Sequence, residues 1–266
     1  MKFDRVMVPI DSSTMSEVAV DLAITSAGVF ATHLSFVYVV DVTEYNKFGT
    51  VDSTMAAFKL KTEGKMALDL AAEKAEKAKL DYECIMIEGV PWEELAKMTK
   101  EQDMVIMGVT GKTGIGHGAR IGSTAAKLIE NSYCPVLTLK SGSRKLETIL
   151  LPVSNKNMAA IDVAIETAKR VDGSITVFAV KGGKLSNPEA LVKEVADKCY
   201  EAGVKVDTKI GTGNPADAIA GQSGMYDLVI MGTEGRQGLK KILAGGSVAE
   251  MVVIHSSCPV TIVRDF

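Results

Sequence analysis

The sequence predicts a doubly wound α/β fold made twice: two five-stranded parallel-sheet domains in tandem. Three observations carry this. The chain of 266 residues is 47% hydrophobic and 24% charged, an ordinary globular composition with enough apolar side chains for one or two cores of common size. Slid by 124 residues it matches itself: 17 of the 52 positions from 89 to 140 equal those from 213 to 264, which marks an internal repeat. Within each copy, short β-branched runs alternate with helical patterns, and strands joined through helices run parallel with both faces covered.

In the repeat, Gly89-Val-Pro91 falls on Gly213-Asn-Pro215, Asp103 on Asp227, and Val105-Ile-Met-Gly108 on Val229-Ile-Met-Gly232. Gly111, Gly114, Gly122-Ser123 and Cys134-Pro-Val136 meet Gly235, Gly238, Gly246-Ser247 and Cys258-Pro-Val260. Near the starts of the copies the offset is 143, where Val6-Met-Val-Pro9 answers Ile149-Leu-Leu-Pro152. Copy one therefore holds 19 extra residues before Gly89. The expected domains are 1–142 and 147–266, joined by the polar linker Ser141-Gly-Ser-Arg-Lys145.

Each element of copy one has its own signal. Arg5–Ile10 is apolar almost throughout, the pattern of a strand buried on both faces. From Glu17 to Ala27, Val18, Leu22 and Thr25 share one helical face. Leu34–Val40 reads as the second strand and the Ala/Lys/Glu-rich run Asp52–Lys79 as a helix. Tyr82–Ile87 is the third strand, Trp92–Lys100 a helix, and Met104–Met107 the fourth strand. A glycine-rich loop, Gly108–Gly122, leads to a helix from Ser123 to Asn131, and Pro135–Leu139 closes the copy. The 43–65 stretch with Met55, Phe58 and Leu60 is what copy two lacks. It reads equally as a longer helix over a site, a partner surface, or extra core packing.

Several function classes are excluded. The net charge is −3 with no long run of one sign, whereas binding through phosphate neutralisation calls for a basic stripe. Seven Phe, six Tyr and one Trp are too few for a base-stacking platform. Cys84, Cys134, Cys199 and Cys258 form no CxxC pair and read as buried small hydrophobes of a reducing compartment. No secretory leader and no apolar run of membrane-spanning length is visible, so a cytoplasmic protein is expected.

In doubly wound sheets, ligands bind beyond the carboxyl ends of the strands, where strand order reverses. Pro9-Ile-Asp11-Ser-Ser follows strand one, and a loop with Gly108, Gly111, Gly114, Gly116, Gly118 and Gly122 follows strand four. Glycines let backbone amides approach an anion, and the helix opening at Ser123 offers unpaired amides and a dipole to a phosphate. The plainer alternative has Gly122 turning the chain and Ser123 capping the helix. Asp11 reads either as the acceptor for a nucleoside's amino or hydroxyl group or as a cap of the helix near Ser13–Ser16. Lys112 is either a phosphate partner or a solvated loop lysine.

Two look-alikes fail. Gly111-Lys112-Thr113 ends like a phosphate-loop motif, but the glycine required five residues earlier is Ile106. Gly245-Gly-Ser247-Val-Ala249 ends in Ala where a nucleophile elbow needs Gly. His255 is the histidine nearest to it in sequence, and helix capping by Ser247 is the expected role.

Together, Val8-Pro-Ile-Asp11, Gly89-Val-Pro91, Val105-Ile-Met-Gly108, the loop to Gly122-Ser123, and Cys134-Pro-Val136 resemble the universal stress protein family in its tandem form. The resemblance covers nearly the whole chain. It implies strand order 3-2-1-4-5 and pairing between domains through the last strand, an internal pseudo-dimer, with homodimers also open. It further implies a stress-response protein binding ATP or AMP, with magnesium as a companion of ATP. The implied nucleotide residues are Pro9, Asp11, Val39, Met107, Gly108, Gly111, Lys112, Gly122 and Ser123. A weaker second site would use Met231, Gly232, Gly235, Gly246 and Ser247. Ten residues separate Gly111 from Gly122, one more than in the family's ATP-binding pattern. The extra residue is either a bulge or a shift of the Gly-Ser donors. Copy two has Ser154 for the aspartate, and Glu234 in its loop opposes phosphate while Arg236, Lys240 and Lys241 favour it.

Three functions stay open at this level: a non-catalytic nucleotide-binding regulator with an unidentified protein partner, a slow ATP hydrolase, and a nucleotide-free tandem scaffold. No nucleophile–base pair stands near the loop, which favours the first.

Overall fold

The structure, a computed structural model, describes residues 3–30, 33–45, 50–111, 120–140, 145–154, 158–181, 187–233 and 247–264. It divides into two compact units, one formed mainly from the residues between 3 and 140 and the other from those between 145 and 264.

The first domain runs β1 (Arg5–Ile10), α1 (Thr14–Phe30), β2 (His33–Asp41), α2 (Val42–Tyr45), α3 (Thr50–Lys77), β3 (Tyr82–Gly89), α4 (Pro91–Met98), β4 (Met104–Gly108), α5 (Ser123–Asn131) and β5 (Val136–Leu139). Its strands lie in the order β3-β2-β1-β4-β5, and the pairs are parallel, Arg5 facing His33 and Val6 facing Met104. Strand order reverses between β1 and β4, which sets the position of a ligand cleft. Val6, Met7, Val8, Phe36 and Val105 are buried at the sheet's centre, so the continuous apolar runs follow from cover on both faces.

The second domain repeats the plan with β6 (Thr148–Pro152), α6 (Met158–Arg170), β7 (Ser174–Lys181), α7 (Pro188–Glu201), β8 (Lys205–Thr212), α8 (Pro215–Gln222), β9 (Leu228–Thr233), α9 (Val248–His255) and β10 (Val260–Arg264). β6 pairs in parallel with β7 and β9, β7 with β8, and β9 with β10, the same 3-2-1-4-5 order.

Boundaries moved where side chains cap. α1 begins at Thr14 rather than Glu17 because Ser13 caps it: its Oγ accepts from the Ser16 amide at 3.2 Å. α2 was not foreseen from the sequence; Asp41 starts it, accepting from the amide and hydroxyl of Thr43 at 2.8 and 2.7 Å. α4 stops at Met98 and passes into a 3₁₀ turn, Thr99–Glu101.

Two side-chain ties recur in both domains. Asp103 Oδ2 accepts from the amides of Asp4 and Arg5 at 2.8 and 3.0 Å, fastening the start of β4 to that of β1. Asp227 Oδ2 does the same for β9 and β6, accepting from the Thr148 amide and hydroxyl at 3.0 and 2.9 Å. Thr99 Oγ1 donates to the Ala96 carbonyl at 2.7 Å and accepts from the Tyr133 amide at 3.0 Å. Ser223 Oγ repeats this with Ala220 and Ser257 at 2.6 and 2.8 Å.

Cys134, Cys199 and Cys258 are buried free thiols; burial pushes Cys134 up to about 12 and Cys199 up to about 11, which leaves both protonated and inert. Cys84 corrects the expectation of four buried cysteines. It is exposed on β3, whose alternating half-buried pattern marks a strand with one face open to solvent. Among the described residues, no helix is long and apolar enough to cross a membrane.

The domains differ most between their second and third strands. α3 has 28 residues and α7 has 14, and both end at matching repeat positions, Lys77 and Glu201. The surplus is nearly four N-terminal turns, Thr50–Glu63.

Candidate functional site

The cleft in the first domain is assembled from strand ends. β1 delivers Pro9 and Ile10, after which Ser12 takes a left-handed φ of 61°, a conformation that costs a serine energy and is held only by its surroundings. That turn folds Asp11 back on the start of α1. Asp11 Oδ1 accepts from the Ser13 amide at 3.1 Å and from the Ser13 hydroxyl at 2.5 Å. Asp11 is therefore not the cap itself; it fixes Ser13, the residue that caps. Its other oxygen reaches toward β4, where a Cβ built on Gly111 would stand 2.2 Å from Oδ2. The two readings of Asp11 are combined in one geometry: a carboxylate anchored by the helix start and aimed at the glycine loop.

β4 delivers Met107 and Gly108. A Cβ on Gly108 would lie 2.6 Å from the Met15 Cβ and 3.2 Å from the Met15 carbonyl carbon, so glycine is what lets α1 close on the strand. Beyond it the chain leaves the sheet and returns at Gly122, whose amide donates to the Val109 carbonyl at 2.8 Å. Gly122, not Ser123, is the N-cap of α5, and among the described residues no side-chain cap is made there. The plainer alternative of a Ser123 cap is thereby corrected: Ser123 is the first helical residue, exposed at the mouth of the cleft. An uncapped first turn presents amide hydrogens and the positive end of the helix dipole to an anion.

These strand ends enclose a cleft of about 210 Å³, near the lower end of small-ligand sites. Its walls include Pro9, Asp11, Val39, Met107, Gly108, Gly111, Gly122 and Ser123. All eight sequence-derived residues that the structure describes in this domain meet in one cavity. Lys112 lies outside the described residues.

Further wall residues had not been singled out as ligand contacts. Asp41 and Glu44 bring carboxylates from the end of β2 and from α2, and Leu60 enters from the surplus turns of α3. Asp41 could have been found by applying the strand-end rule to the second strand as well as to the first and fourth. Leu60 belongs to the 43–65 stretch, one of whose readings was a longer helix over a site, and it does line the cleft. Its direction follows from Gly64, where a Cβ would stand 2.5 Å from the Tyr38 ring; this close approach sets the rotation of α3 on the sheet.

The second domain arranges the same places differently. Pro152, Ser154 and Gly232 line a cavity of only about 20 Å³, and Met231 is buried in β9. Ser247 is the N-cap of α9, its Oγ accepting from the Glu250 amide at 3.0 Å. Gly235 and Gly246 lie outside the described residues, as do Glu234, Arg236, Lys240 and Lys241.

Comparison with known proteins agrees with this architecture. A sequence model described as the universal stress protein family matches residues 2–140 and again 145–264. The chain is 33% identical over 146 residues to a universal stress protein of Methanocaldococcus jannaschii, covering 54% of this chain and 85% of the relative. It is 24% identical over 288 aligned positions to one of Mycobacterium bovis, covering 97% and 96% of the two chains. A crystal structure of a universal stress protein from Archaeoglobus fulgidus superposes with a TM-score of 0.84 at 18% identity, over 99% of this chain and 97% of that one, a likeness of fold.

Proposed function

The chain belongs to the universal stress protein family, and on that footing we propose that its first domain binds an adenine nucleotide, ATP or AMP. It does so as a non-catalytic regulator of a cytoplasmic stress response, while the second domain serves as a degenerate half. The observation that carries this reading is the convergence of Asp11, Val39, Gly111 and the uncapped Gly122-Ser123 helix start on one cleft.

Each part of a nucleoside phosphate has a partner there. Asp11 offers a carboxylate to an amino or sugar hydroxyl group. Val39 and Met107 supply apolar strand ends for the flat base. Gly108, Gly111 and Gly122 stand where a Cβ would meet Met15, Asp11 and the Val109 carbonyl, so glycine lets the strand end, the aspartate and the start of α5 close together around the cleft, with their backbone amides available to phosphate oxygens. With ATP, magnesium would be carried mostly by phosphates and water; Asp41 and Glu44 are the carboxylates that stand nearby in the cleft.

The test is equilibrium dialysis with labelled ATP and AMP against the wild-type chain and Gly111→Ala. Saturable binding is expected, weakened at least about tenfold by the variant, because the new methyl group displaces the Asp11 carboxylate. Absence of saturable binding of either nucleotide would refute the reading and leave the scaffold in its place.

A further inference from the structure

The strand ends that wall the cleft of the first domain stand in a fixed order. β2, β1 and β4 are neighbours in the sheet, each about 4.8 Å from the next. Val39 and Asp41 stand at the end of β2, Asp11 beyond β1, and Gly111 with the Gly122-Ser123 helix start beyond β4. A phosphate at the helix start puts the other end of a nucleotide at the end of β2, about 10 Å away. The sugar then crosses β1 beside Asp11, and the base meets β2.

That end of β2 carries a selective group. Val39 and Asp41 are half-buried and alternate with the buried Tyr38 and Val40. Both side chains therefore stand on one side of the strand, Asp41 about 7 Å farther out. Asp41 lines the cleft and is held in place: its Oδ1 accepts from the amide and the hydroxyl of Thr43 at 2.8 and 2.7 Å. Both bonds use one oxygen, and among the described residues Oδ2 makes none. A carboxylate oxygen accepts hydrogen bonds and donates none. From a purine it can take an amino hydrogen, whereas a carbonyl oxygen in the same place is repelled. Glu44, exposed at the same end of the cleft, is likewise an acceptor.

We propose that Asp41 determines which base the site takes: it accepts from the exocyclic amino group of adenine and thereby turns away purines that carry an oxo group there. This deepens the nucleotide reading and rests on it. AMP, whose single phosphate needs no metal partner, leaves Asp41 to the base.

Equilibrium dialysis of the intact chain against AMP, purine riboside monophosphate and inosine monophosphate, without divalent cations, tests it. At position 6 these ligands carry an amino group, a hydrogen and a carbonyl oxygen. The wild type is expected to bind them in that order, AMP at least about tenfold tighter than inosine monophosphate, the scale of one hydrogen bond to a charged group. In Asp41→Asn the amide oxygen can keep both Thr43 bonds, and the amide hydrogens take the place of Oδ2. The preference for AMP should then shrink at least about fivefold, inosine monophosphate gaining affinity while the unfolding midpoint of the free protein stays unchanged. A wild type that binds the three ligands alike, or an Asp41→Asn variant that keeps the wild-type ratio, would overturn the role of Asp41 and leave the nucleotide site standing. Absence of saturable binding of all three would remove both.

Discussion

At the carboxyl ends of the central strands, the two domains solve the same local problem in opposite ways. In the first, the helix after the fourth strand starts at Gly122, which has no side chain to cap it, above a cleft of about 210 Å³. In the second, Ser247 stands at the repeat position of Ser123 but one helical place earlier, and its hydroxyl accepts from the Glu250 amide of the first turn beside a cavity of about 20 Å³. Among the described residues, one helix start lacks a side-chain cap and the other is capped by its own serine. Far from this end, the domains agree. Asp103 and Asp227 make the same tie, as do Thr99 and Ser223. Positions that hold the sheet together are kept in both copies, as are most cleft positions, while the aspartate after the first strand, Asp11, is replaced by Ser154.

The sharpest way to break the comparison is at the aspartate. Asp11→Ala should lower adenine-nucleotide affinity at least about tenfold, ~1.4 kcal/mol, with Ser154→Ala changing it less than about twofold. Titration of each variant measures this, and equal effects would dissolve the distinction between the domains. Next are the shared ties. Thr99→Val removes the hydroxyl that accepts from the Tyr133 amide and should cost about 0.5–1.5 kcal/mol of stability, as Ser223→Ala should for the Ser257 amide; denaturant unfolding reads both. A loss in one domain and none in the other would deny their equivalence.

Smaller effects sharpen the contrast at the helix starts. Ser247→Ala removes a cap and should cost about 1 kcal/mol, while Ser123→Ala, which removes none, should leave stability within about 0.5 kcal/mol. Their order reverses for ligand affinity: Ser123→Ala should weaken nucleotide binding by roughly threefold and Ser247→Ala should leave it unchanged, since one hydroxyl contributes about 0.5–1.5 kcal/mol. Thermal unfolding with and without AMP checks both halves of this dissociation.

The strands were legible in the sequence because burial on both faces writes them as unbroken apolar runs, and β1 falls at Arg5–Ile10 as expected. The cleft residues of domain one were legible for a related reason: the strand-end rule locates Asp11 and the glycine loop before any side chain is placed. Helix starts were less so. α1 begins three residues early because Asp11 organises Ser13, a tertiary use of a residue that local sequence offered as a cap. Gly122 is the N-cap of one helix and Ser247 of the other, a shift of one place that two identical Gly-Ser pairs cannot reveal. For Leu60 the sequence left a site cover, a partner surface and core packing all open, because which face of a long helix meets a cleft depends on the seat of Gly64 against Tyr38.

Calorimetric titration of the intact chain with ATP and magnesium, repeated with AMP, tests the central claim most directly. An open first site and a closed second one predict a single site per chain. Two sites per chain, or no heat with either nucleotide, would contradict it.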